Sequence, residues 1–399
     1  IDRLGLDSLD INKECIRLIE SRTGEKVDVN SIPDNDLMSF KNFKKGKTLG
    51  IFQFGENNLR RILRETRPKN IHDLACVNAL YRPGPIQAGF VEKFIENRHD
   101  SSCIEKIHPI VDKILEKTEG VLLFQEQVML IGRELAGYSV KEMNFLRKII
   151  KKSSGSTSTT EERDENRENF LNGCKKQKIE EEIANKVFSL IEEFASYSFN
   201  KAHSIGYSRL AIIQMYLKTH HPSEYMAAYL QFQDRTTQKQ KWRYDKLIKE
   251  CHNIGISFVV PDINISNRGV TLKDEKIMFG LESVKGLGEI GSAKVVANRP
   301  YRSFYEFIQK IPDFRGVNKT VISSMLIMGC FDDTREIRTG KVSRIDLCNS
   351  LDKILRDRKR IYNRTEMLAR IDKCDFELTK EMVDSELERN FGTIVRYFV

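Results

Sequence analysis

The sequence predicts a mainly α fold with small β elements, an α+β chain in which a long helical domain precedes a smaller mixed one. Three observations carry this. Apolar residues recur at helical spacing, three or four apart, through most of residues 70–232. A strand-like run at 256–260 is followed by two short apolar stretches that flank Lys273-Asp274-Glu275-Lys276, the pattern of a hairpin. Gly286-Leu287-Gly288 then leads into a helical segment through Ala297, and a second helical segment, 320–328, ends at Gly329.

The 399 residues suggest two or three domains. With 40% hydrophobic and 31% charged residues the composition is that of a globular chain able to bury a sizeable core. No apolar run approaches the roughly 20 residues a spanning helix needs, so no membrane partner is expected. The eight cysteines form no CxxC pair, and the seven histidines do not join them at zinc-ligand spacing. Reduced thiols in a cytoplasmic protein are expected. The formal charge of +9 favours a polyanionic partner. The chain opens at Ile1 without a signal segment, which reads as the start of a fragment or a trimmed chain.

Along the chain, residues 1–29 read as a strand end and then a helix, with Ile11, Cys15, Leu18 and Ile19 on one face. Residues 41–69 hold nine Lys and Arg against Glu56 and Glu65, a run suited to phosphate as well as to a solvated face. In the helical region, Gly120, Gly137 and Pro222 mark boundaries. Residues 153–160, all Ser, Thr and Gly, read as a mobile loop. Beyond Phe331 an amphipathic charged helix places Leu347, Leu351, Ile354 and Leu355 on one side. The expected domains are 1–45, 46–232, 233–333 and 334–399.

Four motifs bear chemistry. Gly286 and Gly288 permit a tight turn that leaves backbone N–H groups at a helix N-terminus, an anion site to which Lys285 and Lys294 could add charge. With the downstream helical pair this makes a helix-hairpin-helix, a sequence-independent grip on duplex DNA; an ordinary glycine turn has the same tripeptide. Phe199-Asn200-Lys201-Ala202-His203-Ser204 is the densest polar cluster, and Asn200 or Ser204 could cap a helix running through Tyr216. Lys201, Arg209 and His203 near one helix start suit a triphosphate, whose leaving group needs neutralising cations; a basic-edged surface helix fits equally. Arg82 before Pro83-Gly84-Pro85 sets a guanidinium at a rigid turn, and a plain turn explains the same residues. Arg147 and Lys148 begin a basic helix end, which complements the helix dipole whether or not it meets phosphate. Residues 124–129, one Glu among amides, read as packing.

In order along the chain, LGIFQF at 49–54, ALYRPGP at 79–85, GVLLFQEQVM at 120–129, FNKAHSIGYS at 199–208, HPSEYMAA at 221–228, PDIN at 261–264, GLESVKGLGEIG at 280–291 and MGCFD at 328–332 resemble the C-family, the bacterial-type replicative DNA polymerases. The resemblance spans about 49–332 and rests on the collinear set. It implies that residues 1–45 are the last edge of a palm, 46–232 the fingers, 233–333 a duplex-binding domain, and 334–399 a connector toward an OB-fold. It implies that Asp2, in IDRLGL, is the third catalytic carboxylate and a ligand in a two-ion Mg2+ site. Arg82, Arg147, Lys148, Lys201 and His203 become the cations that meet the incoming dNTP and template. The family's Asp-x-Asp pair and thumb are not among these residues, so they would come in cis or in trans. Sliding clamp and clamp loader would be met through other regions. This sequence departs from the family where Ile150 leads to Lys151-Lys152-Ser153 in place of Gly-Lys-Lys. Three functions compete: a polymerase part that binds dNTP and primer–template DNA but is incomplete alone, a non-catalytic DNA-binding module of a split or degenerate polymerase, and a nuclease or ligase accessory. The collinear fingers motifs disfavour the last.

Overall fold

The computed structural model describes residues 7–143, 160–195, 197–233 and 237–356. Asp2, Arg147, Lys148, Lys151, Lys152, the serine-threonine stretch to 159 and the end of the connector lie outside them. The chain folds as two compact units, one of residues 28–219, the other of residues 1–27 with 220–399. The fold is mainly α with one small sheet, as expected. No helix among the described residues is long and apolar enough to cross a membrane.

Helix α1, Asp7–Thr23, begins with Asp7 and Asp10 in its first turn, where acidic side chains complement the helix dipole. Its buried face is Ile11, Cys15, Leu18 and Ile19, the apolar set read from spacing, together with the polar Asn12. That face packs on α12, described below, and Arg22 pairs with the buried Glu224 of that helix.

Among its described residues the 28–219 unit is built mainly of helices. Its elements are α2 (Leu37–Lys44), α3 (Asn57–Thr66), α4 (Ile71–Leu80), α5 (Pro83–Gln87), α6 (Phe90–His99), α7 (Pro109–Leu115), α8 (Gln125–Ala136), α9 (Thr160–Lys176), α10 (Glu181–Ala195) and α11 (Lys201–His220). Caps explain the starts: Asp36 accepts from Ser39 N–H at 2.7 Å and Asn70 from Asp73 N–H at 3.0 Å. Gly137 ends α8 in the left-handed conformation, as the glycine boundary predicted. One core joins α7 to α10 through Val111, Val128, Ile131, Phe170, Val187 and Phe194. Arg98 of α6 bridges Asp73 of α4 and Glu119, the latter at 2.7 Å.

The long helix α11 is the axis to which the LGIFQF segment is fixed. Gln214 accepts from Phe52 N–H at 2.6 Å, and Lys218 Nζ donates to the Leu49 carbonyl at 2.8 Å. Phe52 stacks on Tyr207, ring centroids 5.1 Å apart. Part of the basic run at 41–69 is likewise engaged within the chain: Arg60 donates to the Gly46 carbonyl at 2.7 Å, and Arg61 makes a surface pair with Glu65.

The second unit continues with α12 (Pro222–Gln231), begun by the proline, and α13 (Gln238–Asn253), begun by a Thr237–Gln240 capping box. Strands β1 (Phe258–Val259), β2 (Thr271–Lys273) and β3 (Lys276–Met278) form a sheet of order β1-β3-β2, β1 parallel and β2 antiparallel to β3. The expected hairpin is there, turning on Asp274 and Glu275, both at positive φ. The PDIN segment is a clasp. Asp262 Oδ1 accepts from Asn264 and Ile265 N–H groups, while Asn264 donates to the Tyr301 carbonyl at 2.8 Å and accepts from Tyr301 N–H at 2.7 Å. Then follow α14 (Glu289–Ala297), α15 (Phe304–Lys310), α16 (Lys319–Met328), α17 (Arg335–Arg338) and α18 (Arg344–Arg356), which buries Leu347, Leu351 and Ile354. Helix α15 did not register in the sequence pattern. It spans only seven residues, two of its core side chains being Phe304 and Phe307.

Candidate nucleotide and nucleic-acid sites

The first candidate site lies in the 28–219 unit, where chain segments far apart in sequence meet. Phe124 and Phe199 form a parallel β-bridge, and Gln125 N–H donates to the Phe199 carbonyl at 2.9 Å. This brings the start of α8 against the start of α11. Glu126 completes the join: its two carboxylate oxygens accept from Lys201 N–H at 3.1 and 3.0 Å, and Oε1 also accepts from Asn200 Nδ2 at 3.1 Å. Asn200 in turn caps α11 by accepting from His203 N–H at 2.8 Å. An acidic side chain here satisfies an orphan donor and meets the positive end of the helix dipole. Glu126 is therefore more than the packing residue its sequence context suggested.

Around this bridge stand three of the five expected cations. Lys201 Nζ lies 5.8 Å from the centroid of the Phe124 ring, and the Arg82 guanidinium lies 4.4 Å over the Phe199 ring. The His203 imidazole sits against Phe199 at 5.7 Å and Tyr207 at 4.1 Å between centroids. Arg82 is the most restrained. Its Nε donates to the Ala79 carbonyl at 3.0 Å, its Nη2 donates to the Tyr197 carbonyl, and burial lowers its pKa. Two guanidinium donors are thus spent on the fold, leaving three of the five. Gly84 explains the RPGP turn beside it, since a Cβ there would lie 2.1 Å from the Tyr197 ring. Arg209 does not join the cluster: it donates to Asp34 at 2.7 Å and to the Ile32 and Val29 carbonyls. Eight positions along α11, it lies more than two turns beyond Lys201.

A cavity of about 530 Å³ opens beside Lys201. Its wall carries Lys113, Lys117, His72, Glu126 and Glu134 with an apolar floor that includes Ile114. The His72 pKa is lowered, first by desolvation and then by Lys201 and Lys117.

The second candidate site lies in the other unit. Gly286 has φ +83°, Leu287 is buried, and Gly288 is the N-cap of α14. The pattern occurs twice: Gly316 has φ +80°, Val317 is buried, and Asn318 caps α16 by accepting from Val321 N–H at 3.1 Å. Only a residue without a Cβ adopts these left-handed turns freely. The Gly316 turn meets the first turn of α14 closely, because a Cβ on Gly291 would lie 2.1 Å from the Gly316 carbonyl oxygen. Each turn precedes the first turn of a helix, whose N–H groups have no intrahelical acceptor. Lys285 is exposed, whereas Lys294 is engaged by Asp313 and donates to the Arg315 carbonyl at 2.8 Å. Arg315, exposed and standing before Gly316 as Lys285 stands before Gly286, was the missed residue. The repeated Lys/Arg-Gly-apolar pattern is the signal that finds it. Among the described residues no group of three His, Cys, Asp or Glu side chains is arranged to hold a metal ion.

A family model described as the bacterial DNA polymerase III alpha subunit finger domain matches residues 8–178, and a helix-hairpin-helix motif model matches residues 255–340. The DNA polymerase III subunit alpha of Aquifex aeolicus (strain VF5) is 34% identical over 351 residues, covering 86% of this chain and 29% of its own. That of Chlamydia pneumoniae is 33% identical over 336 residues, 83% and 26%. That of Borreliella burgdorferi is 33% identical over 350 residues, 87% and 29%. The chain thus spans under a third of the length of these relatives. Carrying the finger segment and the helix-hairpin-helix in one collinear order, it belongs to the bacterial DNA polymerase III alpha-subunit family.

Proposed function

We propose that this chain is part of a replicative DNA-directed DNA polymerase, in which residues 46–232 act as fingers that bind the incoming dNTP and residues 233–333 hold primer–template duplex. Residues 1–45 are the palm edge in this reading and 334–399 the connector. The observation that supports it best is the gathering of Lys201, Arg82 and His203 around the Phe124–Phe199 bridge, from segments more than 110 residues apart between Arg82 and Tyr197. Cations collected at one place neutralise charge that develops on the leaving pyrophosphate. In this division of labour Lys201 is the phosphate contact, Arg82 an already oriented donor, and His203 a further donor. Glu126 is the positioning residue that holds the start of α11. Arg147 and Lys148 extend the same set.

Asp2 would be one ligand of a two-ion Mg2+ site, the other carboxylates coming from the rest of the polymerase, and the bound ions would supply the Lewis-acid chemistry. One carboxylate cannot hold two ions, so the 399-residue polypeptide alone is expected to give no primer extension. In an active polymerase that contains this chain, Lys201→Ala should raise the dNTP KM or lower kcat about ten- to a hundredfold, since a charged phosphate contact is worth roughly 1.5–3 kcal/mol. Primer–template Kd should stay nearly unchanged. Unaltered nucleotide kinetics with weakened DNA affinity would instead favour a non-catalytic DNA-binding module.

A further inference from the structure

Helix α13 carries a feature that neither dNTP binding nor the hairpin pair uses. Its core face is Tyr244, Leu247, Ile248 and Cys251, all buried. Trp242, Lys246 and Lys249 fall on the opposite face by helical spacing. Trp242 is the chain's only tryptophan and is 60% exposed, although indoles are among the most buried side chains on average. Lys246 Nζ lies 3.4 Å from the centroid of its ring, within cation–π contact. Lys241 and Lys249 are exposed on either side in sequence, and Arg243 is engaged with Tyr229. Five cations stand against two carboxylates, Asp245 and Glu250, along the helix.

We propose that this face of α13 binds single-stranded DNA, with an unpaired base stacked on Trp242 and the backbone phosphates met by Lys241, Lys246 and Lys249. An ammonium covers one face of the indole, and the exposed remainder offers a π surface to a planar partner. Bases in a duplex are already stacked on one another, so such a platform selects an unpaired strand. The flanking lysines supply the sequence-independent, salt-sensitive part of the binding.

Because Trp242 is the only tryptophan, its emission reports on this face alone. The full chain is titrated with a deoxythymidine oligomer and, separately, with a duplex of equal length and with polyglutamate. The single strand should quench the emission, and the other two should quench it far less. Variants are then compared by the anisotropy of a labelled oligomer. Trp242→Phe should retain most of the affinity, and Trp242→Ala should lose about tenfold or more, the scale of one base–aromatic stack. Trp242→Lys separates stacking from charge: it should bind more weakly despite its added cation. The proposal is overturned if the single strand leaves the emission unchanged, if duplex or polyglutamate quenches as strongly, if Trp242→Ala binds like the parent, or if Trp242→Lys binds more tightly.

Discussion

The two candidate sites are made from different parts of the chain's chemistry. Around the Phe124–Phe199 bridge the groups that matter are side chains, delivered from three stretches of sequence and held by carbonyls, a carboxylate and aromatic rings. In the hairpin pair the groups that matter are backbone amides, delivered by two short turns whose glycines allow φ near +80°. A side-chain site can be altered one functional group at a time without disturbing its frame. A backbone site has no side chain to remove, and it fails only when the turn itself cannot form.

The largest effect should therefore come from adding atoms to the hairpin pair. In Gly291→Val the new Cβ would lie 2.1 Å from the Gly316 carbonyl oxygen and 2.7 Å from Leu287 Cδ1. Backbone cannot yield as a flexible side chain does, so a loss of about 3 kcal/mol is expected. Thermal unfolding should show it as a lower Tm, accompanied by loss of duplex binding. A normal Tm together with normal duplex affinity would mean that the two turns do not depend on this close approach.

That contrast also explains what could be read in advance. Local signals were legible: the buried face of α1, the boundaries at Gly137 and Pro222, the turn at Asp274-Glu275, and the tight turn at Gly286. Each is set by residues within a few positions of one another. Long-range pairings were not. Glu126 looked inert because its partner amide lies 75 residues away, and the two carbonyls that restrain Arg82 leave no mark in its own motif. Lys294 reads as a free cation beside a glycine turn, yet Asp313 and the Arg315 carbonyl claim it. Lys201 and His203 were legible together at one helix start, but the arrival of Arg82 beside them was an expectation drawn from family resemblance, since nothing in its spacing from them brings it there.

Lys285 and Lys294 sharpen the comparison at a smaller scale. Lys285 is exposed, so Lys285→Ala should leave Tm unchanged while weakening duplex binding, and the slope of log K against log salt should fall by about 1. Lys294 is partly buried and paired, so Lys294→Ala should lower stability by about 0.5–1 kcal/mol, with a smaller change in salt slope. Arg315→Ala should resemble Lys285→Ala. Isothermal titration across a salt series separates the three. Equal salt slopes for Lys285→Ala and the parent would remove Lys285 from the phosphate contacts.

The smallest effect tests whether the Lys201 ammonium is a field source at its cavity. His72 has a lowered pKa, chiefly through desolvation and next through Lys201 and Lys117. Folding thus favours the neutral imidazole. As pH falls below the usual histidine value of about 6.5 the unfolded chain takes up its proton first, and stability drops with it. Lys201→Ala removes one like charge but leaves the desolvation, so the His72 pKa should rise without reaching its ordinary value. An NMR titration of the imidazole resonances reads this directly. A bound triphosphate should act in the same direction in the parent, because its charge neutralises the lysines and favours imidazolium. In Lys201→Ala the same nucleotide should bind more weakly and shift His72 less at equal concentration. If Lys201→Ala leaves the titration of His72 where it was, the ammonium does not act on this cavity, and the cluster's cations do not share one field.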